Sequence, residues 1–192
     1  MNLEIKKEDV MLGPSKLTAL RRRFAKKVEG CVLDCGAGTG AYHHLFHTED
    51  IVSLDLYASQ LQGVRGKRVC ANATQLPFKK DTFDVLWAFA FIQYIKVDLS
   101  EFIQEWWRVV KPGGKIVVLT PNGSSPFNPI LRFFHLKDWT SYEWITKLYT
   151  AVELEQYGKV YGEAWFMPFL QRVLERHPRF GHTLLLEIRV GK

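Results

Sequence analysis

The chain reads as an α/β domain built on a parallel sheet covered by helices on both faces. Three observations predict this. Apolar runs of strand length alternate with stretches of helical periodicity from Cys31 to Thr120. The first run, 31–35, passes straight into a loop with glycine at every second position, Gly36, Gly38 and Gly40. The second run, Ile51-Val-Ser-Leu-Asp55, ends on a carboxylate 19 residues beyond Gly36. Glycine accepts φ > 0 and carries no Cβ, so the backbone can turn sharply and a ligand can lie against it. A strand, such a loop and then a helix form a holder for a nucleotide-like molecule, and a carboxylate at the end of the next strand can accept hydrogen bonds from ribose hydroxyls.

The elements follow in order. Lys16, Arg21, Arg22, Arg23, Lys26 and Lys27 crowd one segment in which Leu17, Leu20, Phe24 and Val28 recur near helical spacing. This predicts an amphipathic helix with a basic outer face within residues 1–29. That face is either solvated surface or a contact for an anionic substrate, a lipid surface or RNA. A helix is expected from about Ala41, with His43 and His44 on its surface, then strands near 51–55, 68–71 and 83–89. Asp98 or Ser100 caps the next helix, whose apolar face is Leu99, Phe102, Ile103, Trp106 and Val110. Pro112-Gly113-Gly114 stops that helix, and Lys115 to Thr120 is the fifth strand. Beyond the Pro-, Asn- and Ser-rich loop at 121–129 the rhythm changes. A helix is expected over 141–150 and a strand over 152–157, extending toward Tyr161. A second helix follows over 165–176, with Phe166, Phe169, Leu170, Val173 and Leu174 on one face, and a closing strand runs over 182–190.

Composition narrows the function classes. A chain of 192 residues with 47% hydrophobic and 24% charged residues suits one globular domain with a full core. No apolar run approaches the ~20 residues of a membrane span, and Met1 to Asp9 has no apolar signal core, so a cytoplasmic location is expected. The three cysteines, Cys31, Cys35 and Cys70, argue against a disulfide framework, and no metal site is indicated. Gly36-x-Gly38-x-x-Ala41 also fits the dinucleotide fingerprint, but the length leaves little room for the separate substrate domain of a dehydrogenase.

Four stretches together resemble class I S-adenosylmethionine-dependent methyltransferases, and among them the small enzymes related to the ubiquinone and menaquinone C-methyltransferases (methyltransferase type 11). They are 32–40, 51–55, 71–84 (with Ala71-Asn-Ala-Thr-Gln-Leu-Pro-Phe78 at its start) and 107–114, so the resemblance covers roughly Val32 to Asn122. It implies a Rossmann-like sheet of seven strands in the order 3-2-1-4-5-7-6, the last strand antiparallel. It also implies one methyltransferase domain over 1–192, with the basic segment at 1–29, a cofactor-binding half at 30–122 and a substrate-side half at 123–192. The cofactor implied is S-adenosylmethionine, with S-adenosylhomocysteine as product. By position, Gly36, Ala37 and Gly38 match the turn beside the methionine part and ribose, and Asp34 the acid that orients that end. Asp55 matches the acid on the ribose hydroxyls, and Leu56 the residue against adenine. Asn72 and Ala73 match the pair at the adenine edge, and Phe89 a position whose backbone faces the methionine end. Asn72 departs from the family's usual Asp, although its carbonyl oxygen can still accept a hydrogen bond.

The segment Ala88-Phe-Ala-Phe-Ile-Gln-Tyr94 lacks the Asn/Asp-Pro-Pro-Tyr-type loop of enzymes that methylate exocyclic amino groups, and no cysteine follows Cys70 to serve as an RNA cytosine nucleophile. Aromatic residues from Phe133 to Phe169, including Phe134, Trp139, Tyr142, Trp144, Tyr149, Trp165 and Phe166, are either core or the wall of a site for an apolar or aromatic small acceptor. Gln93, Tyr94, Asn122 and His135 are polar groups expected near its mouth, Tyr94 being the first candidate for a catalytic role. Two other readings stand beside the small-molecule enzyme: an RNA or protein methyltransferase using the basic helix, and a non-catalytic S-adenosylmethionine-binding protein. Peripheral membrane contact stays open, as does the oligomeric state.

Overall fold

The apolar runs become adjacent parallel strands in the computed structural model, which describes residues 18–133, 145–163 and 168–191. The strands are β1 (Val32–Cys35), β2 (Ile51–Asp55), β3 (Lys67–Cys70), β4 (Phe83–Phe89), β5 (Val110–Pro121), β6 (Lys159–Glu163) and β7 (Thr183–Arg189). They form one sheet in the order β3-β2-β1-β4-β5-β7-β6. β1 to β5 run parallel, and β7 lies antiparallel between β5 and β6. Order and direction are those the resemblance implies.

Residues alternate between the two faces of the sheet, so each face has its own core. Val32, Val85, Trp87 and Phe89 face α1 (Ala19–Ala25), where Leu20, Phe24 and Ala25 are buried. Leu33, Leu86, Ala88 and Ile116 face α2 (Leu99–Val109) and its Phe102, Ile103 and Trp106. Asp98 caps α2 by accepting the Ser100 N–H. The helix ends at Val109, and Val110, equally buried in the same core, opens β5. Lys111 to Gly114 then bulge out of the ladder between the pairs Phe83/Val110 and Val85/Lys115. A Cβ on Gly114 would lie 2.7 Å from the Asp84 carbonyl oxygen, so only glycine fits that crossing.

Four expectations are corrected. The chain after Gly40 forms turns and a 3₁₀ turn at His43–Leu45, not an α-helix. Phe46 is already extended there, which lets the His47 N–H reach the Val28 carbonyl. The alternation at 152–157 is not a strand. Thr150 and Glu153 form a capping box that starts α4 (Ala151–Glu155), and the strand waits until Lys159. Residues 145–148 are not helical, while 141–144 lie outside the described residues. In the last third, α3 (Phe127–Phe133) follows the loop after β5, and a 3₁₀ turn at Pro168–Leu170 leads into α5 (Gln171–Arg176). The expected shared apolar face there does not form: Leu174 is buried, but Phe169 and Val173 are exposed.

The basic helix is also only partly basic on its outside. Arg22, Arg23, Lys26 and Lys27 are exposed, whereas Arg21 is fully buried. Its Nε donates to Glu163 Oε2 at 2.9 Å, its Nη1 reaches the Tyr42 hydroxyl at 3.4 Å, and Thr183 Oγ1 donates to the same carboxylate. Burial works to lower the Arg21 pKa, but the charges and hydrogen bonds of Glu163 and Tyr42 together outweigh it and the guanidinium stays protonated. Removing one member of a buried pair strands the other's charge. Arg21→Met is expected to lower unfolding free energy by about 3 kcal/mol in urea titrations, and Arg21→Met with Glu163→Leu to recover most of that loss.

Candidate cofactor site

The C-terminal ends of β1, β2 and β4 converge where strand order reverses, between β1 and its neighbours β2 and β4. That crevice is the general ligand position of open α/β sheets. β1 leaves the sheet at Gly36, whose φ of +73° excludes ordinary side chains. A Cβ at Gly36 would lie 2.2 Å from Phe91 Cδ2. Gly36 and Ala37 both donate to the Leu54 carbonyl, which pins the turn to β2. At Gly38, φ is +50° and a Cβ would meet nothing within 4 Å, so this glycine faces open space.

Asp55 stands across from that opening. Its Oδ2 accepts the Gly38 N–H and its Oδ1 accepts the Tyr57 N–H, both at 3.1 Å. The carboxylate that ends β2 is thereby fixed against the glycine loop. Leu56 and Tyr57 follow it with half or more of their surface exposed, an apolar lip beside the acid. Cys70, exposed at the end of β3, donates to the Leu56 carbonyl. Asn72 is exposed and its Oδ1 accepts the Thr74 N–H at 3.0 Å, an Asx turn, while Ala73 is buried.

Asp34 is buried one residue before the end of β1, and its Oδ2 lies 2.7 Å from His43 Nε2. Burial pushes the Asp34 carboxyl up, and the His43 bond opposes that rise. His43, expected on a helix surface, is instead folded back beneath the loop. Burial likewise drives the Cys35 thiol well up, with Asp34 and Asp55 adding to it. Phe89 ends β4 stacked on Trp87 at 3.8 Å, with Tyr42 edge-on at 4.9 Å. Ala90, next in the chain, has φ +53°, a strained turn at the sheet edge.

The polar groups expected at the acceptor mouth separate. Asn122 is fully buried and saturated: its Nδ2 donates to the Gly181 and Arg179 carbonyls, and its Oδ1 accepts from Ser124. It is a structural residue. Gln93 is fully buried, neither carboxamide atom has a hydrogen-bond partner among the described residues, and its carbonyl accepts the Thr146 N–H. Tyr94 is partly exposed beside it. An open hollow of about 510 Å³ lined by Ile95, Lys96, Ile145, Thr146 and Lys147 adjoins this turn. Tyr149 is buried, and Phe133 and Phe169 are exposed. Phe134, His135, Trp139, Tyr142, Trp144, Trp165 and Phe166 lie outside the described residues.

The sheet order, the glycine turn and the acid at the end of β2 are those of the class I methyltransferase fold. Comparison with known proteins agrees. Residues 33–118 match a methyltransferase domain family. The chain is 37% identical over 105 residues to a ubiquinone/menaquinone biosynthesis C-methyltransferase of Marinomonas sp., covering 46% of this chain and 41% of that protein. It is 30% identical over 112 residues to an uncharacterized protein of Methanocaldococcus jannaschii, covering 57% and 49%. The chain thus spans less than half the length of these relatives. A solved S-adenosylmethionine-dependent methyltransferase from Archaeoglobus fulgidus superposes with a TM-score of 0.64 at 17% identity, over 89% of this chain and 91% of that one. Over residues 33–118 the chain is thus similar to a methyltransferase domain, carried on a sheet with the class I methyltransferase strand order.

An open glycine, a fixed acid bonded to it and two exposed apolar side chains following that acid are groups that suit an adenosyl ligand. Gly36 and Gly38 should separate packing from binding. Gly36→Ala is expected to cost about 3 kcal/mol or more of stability because it meets both strain and the Phe91 ring. Gly38→Ala is expected to cost only about 1–2 kcal/mol, for backbone strain alone. Thermal and urea unfolding of the two variants checks the difference.

Proposed function

We propose that the protein transfers the methyl group of S-adenosylmethionine to a small, mainly apolar or aromatic acceptor. The observation that carries the cofactor assignment is the Gly38–Asp55 pair, a fixed carboxylate beside an open backbone. In this reading Asp55 accepts the two ribose hydroxyls, Gly36 to Gly38 lie along the ribose and methionine part, and Leu56 covers adenine. Ala73 offers its N–H at the adenine edge. Asn72 already uses its oxygen on Thr74, so its part at adenine is weaker than that of the family's usual Asp. The backbone of Phe89 and Ala90 closes the methionine end. When bound, the cofactor supplies a methyl group activated by its sulfonium. The chain's own work is alignment and exclusion of water, which can recover roughly 7–11 kcal/mol for well-oriented reactants.

The unpartnered carboxamide of Gln93 favours an acceptor that carries one hydrogen-bonding group on a largely apolar frame, since a buried amide without a partner is costly. Tyr94, one residue on, is the candidate to touch the reacting atom. The RNA or protein reading draws less support. Arg21 is buried and Arg23 is tied to Glu175 at 2.7 Å, so the outward basic face is smaller than its sequence suggests.

Asp55→Ala is expected to weaken S-adenosylhomocysteine binding by at least about tenfold, given the strength of hydrogen bonds to a charged group. Unchanged affinity in calorimetry would remove the assignment. Bound S-adenosylhomocysteine should also slow alkylation of the exposed Cys70 beside the adenine lip, while buried Cys35 stays inert with or without ligand. Incubation with labelled S-adenosylmethionine and fractionated extract tests the acceptor. Label is expected in small apolar compounds, and label confined to RNA or protein would replace this reading.

A further inference from the structure

We propose that His43 is a positioning residue for the cofactor: it holds Asp34 in place and makes affinity for the ammonium of the zwitterionic amino-acid end pH-dependent. The inference rests on the reading that this end lies against the turn after β1.

The geometry singles out His43. Its Nε2 is the one hydrogen-bond partner of the Asp34 carboxylate among the described residues, at 2.7 Å, with the acid side chain 7% and the imidazole 16% exposed. The third glycine of the loop exists for this contact. Gly40 has φ +67°, and a Cβ there would lie 2.8 Å from His43 Cε1 and Nδ1. So Gly36 clears Phe91, Gly38 stays open, and Gly40 makes room for the imidazole. Phe46 packs against the other side of the ring at 5.8 Å.

Charge follows from this contact. The groups facing the pair are Asp55 from β2, Cys35 on β1, and Tyr42, which links onward to Arg21 and Glu163. His44 and His47, on the same segment, are exposed. Asp34 and His43 share one hydrogen bond, so a proton gained or lost there changes the charge of the pair. With neutral imidazole the unit carries one negative charge and attracts the ammonium of the cofactor. With imidazolium it is neutral overall, and that attraction is lost. A cation that binds the form with fewer protons displaces a proton on binding, so affinity rises with pH across the titration of the pair.

Calorimetry with S-adenosylhomocysteine from about pH 5.5 to 7.5, where the ligand's own charges are fixed, tests this. For the unaltered chain the dissociation constant is expected to rise about tenfold on acidification, the equivalent of one pKa unit. Binding enthalpies in two buffers of different ionisation heat should show proton release. His43→Gln keeps a neutral donor and is expected to flatten the profile to within about twofold and abolish proton release, while His44→Gln keeps the original slope. A sloping profile in His43→Gln, or a flat one with no proton release in the unaltered chain, overturns the inference. The second measurement stands even if His43→Gln does not fold. Asp55→Ala distinguishes the two levels. If it leaves affinity unchanged, the site itself is wrong. If it weakens binding and His43→Gln still slopes, only the role of His43 falls.

Discussion

The reversal of the backbone at Gly36 is the constraint on which the rest of the site depends. β1 must leave the sheet without running into Phe91, and it must do so while both Gly36 and Ala37 donate to Leu54. Only a left-handed residue without a Cβ satisfies both conditions. Once that turn is made, the Gly38 amide points at Asp55 and Asp34 is left buried before the loop. The chemistry of the site is thus a consequence of one backbone angle held by two neighbouring strands.

Charge is buried at two places, and each is answered differently. Asp34 is met by the imidazole of His43 at 2.7 Å. Arg21 and Glu163 form a fixed pair in the interior, reinforced by Tyr42 and Thr183. Tyr42 touches both regions: its hydroxyl meets Arg21, and its ring lies edge-on to Phe89 at the methionine end. The N-terminal helix and the cofactor loop are therefore packed as one unit.

The parallel core and the glycine turn were legible because their signals are local: buried strands read as continuous apolar runs, and the turn reads as alternating glycine. The errors have physical reasons that lie in competing local signals. Val152 to Tyr157 alternates as a strand would, but Thr150 and Glu153 spell a capping box, and the cap prevails. Arg21 was grouped with its basic neighbours, yet it stands four residues after Leu17 and three before Phe24, on the apolar stripe itself. Its spacing marked it for burial, and charge alone misassigned it. His43 had no such mark. Its contact with Asp34 depends on Gly40 lacking a side chain, and no periodicity encodes that. Asn122 sat near the expected mouth by sequence, but its amide is consumed by carbonyls of the C-terminal region.

The Arg21–Glu163 bond joins residues 142 positions apart, on α1 and β6. A ribosome emits α1 first, and the acid that neutralises its guanidinium emerges only after β1 to β5. Until then α1 carries a cation on the very stripe that must dock on β1 and β4. Docking of the first helix is therefore deferred, and the two ends of the chain close the domain together.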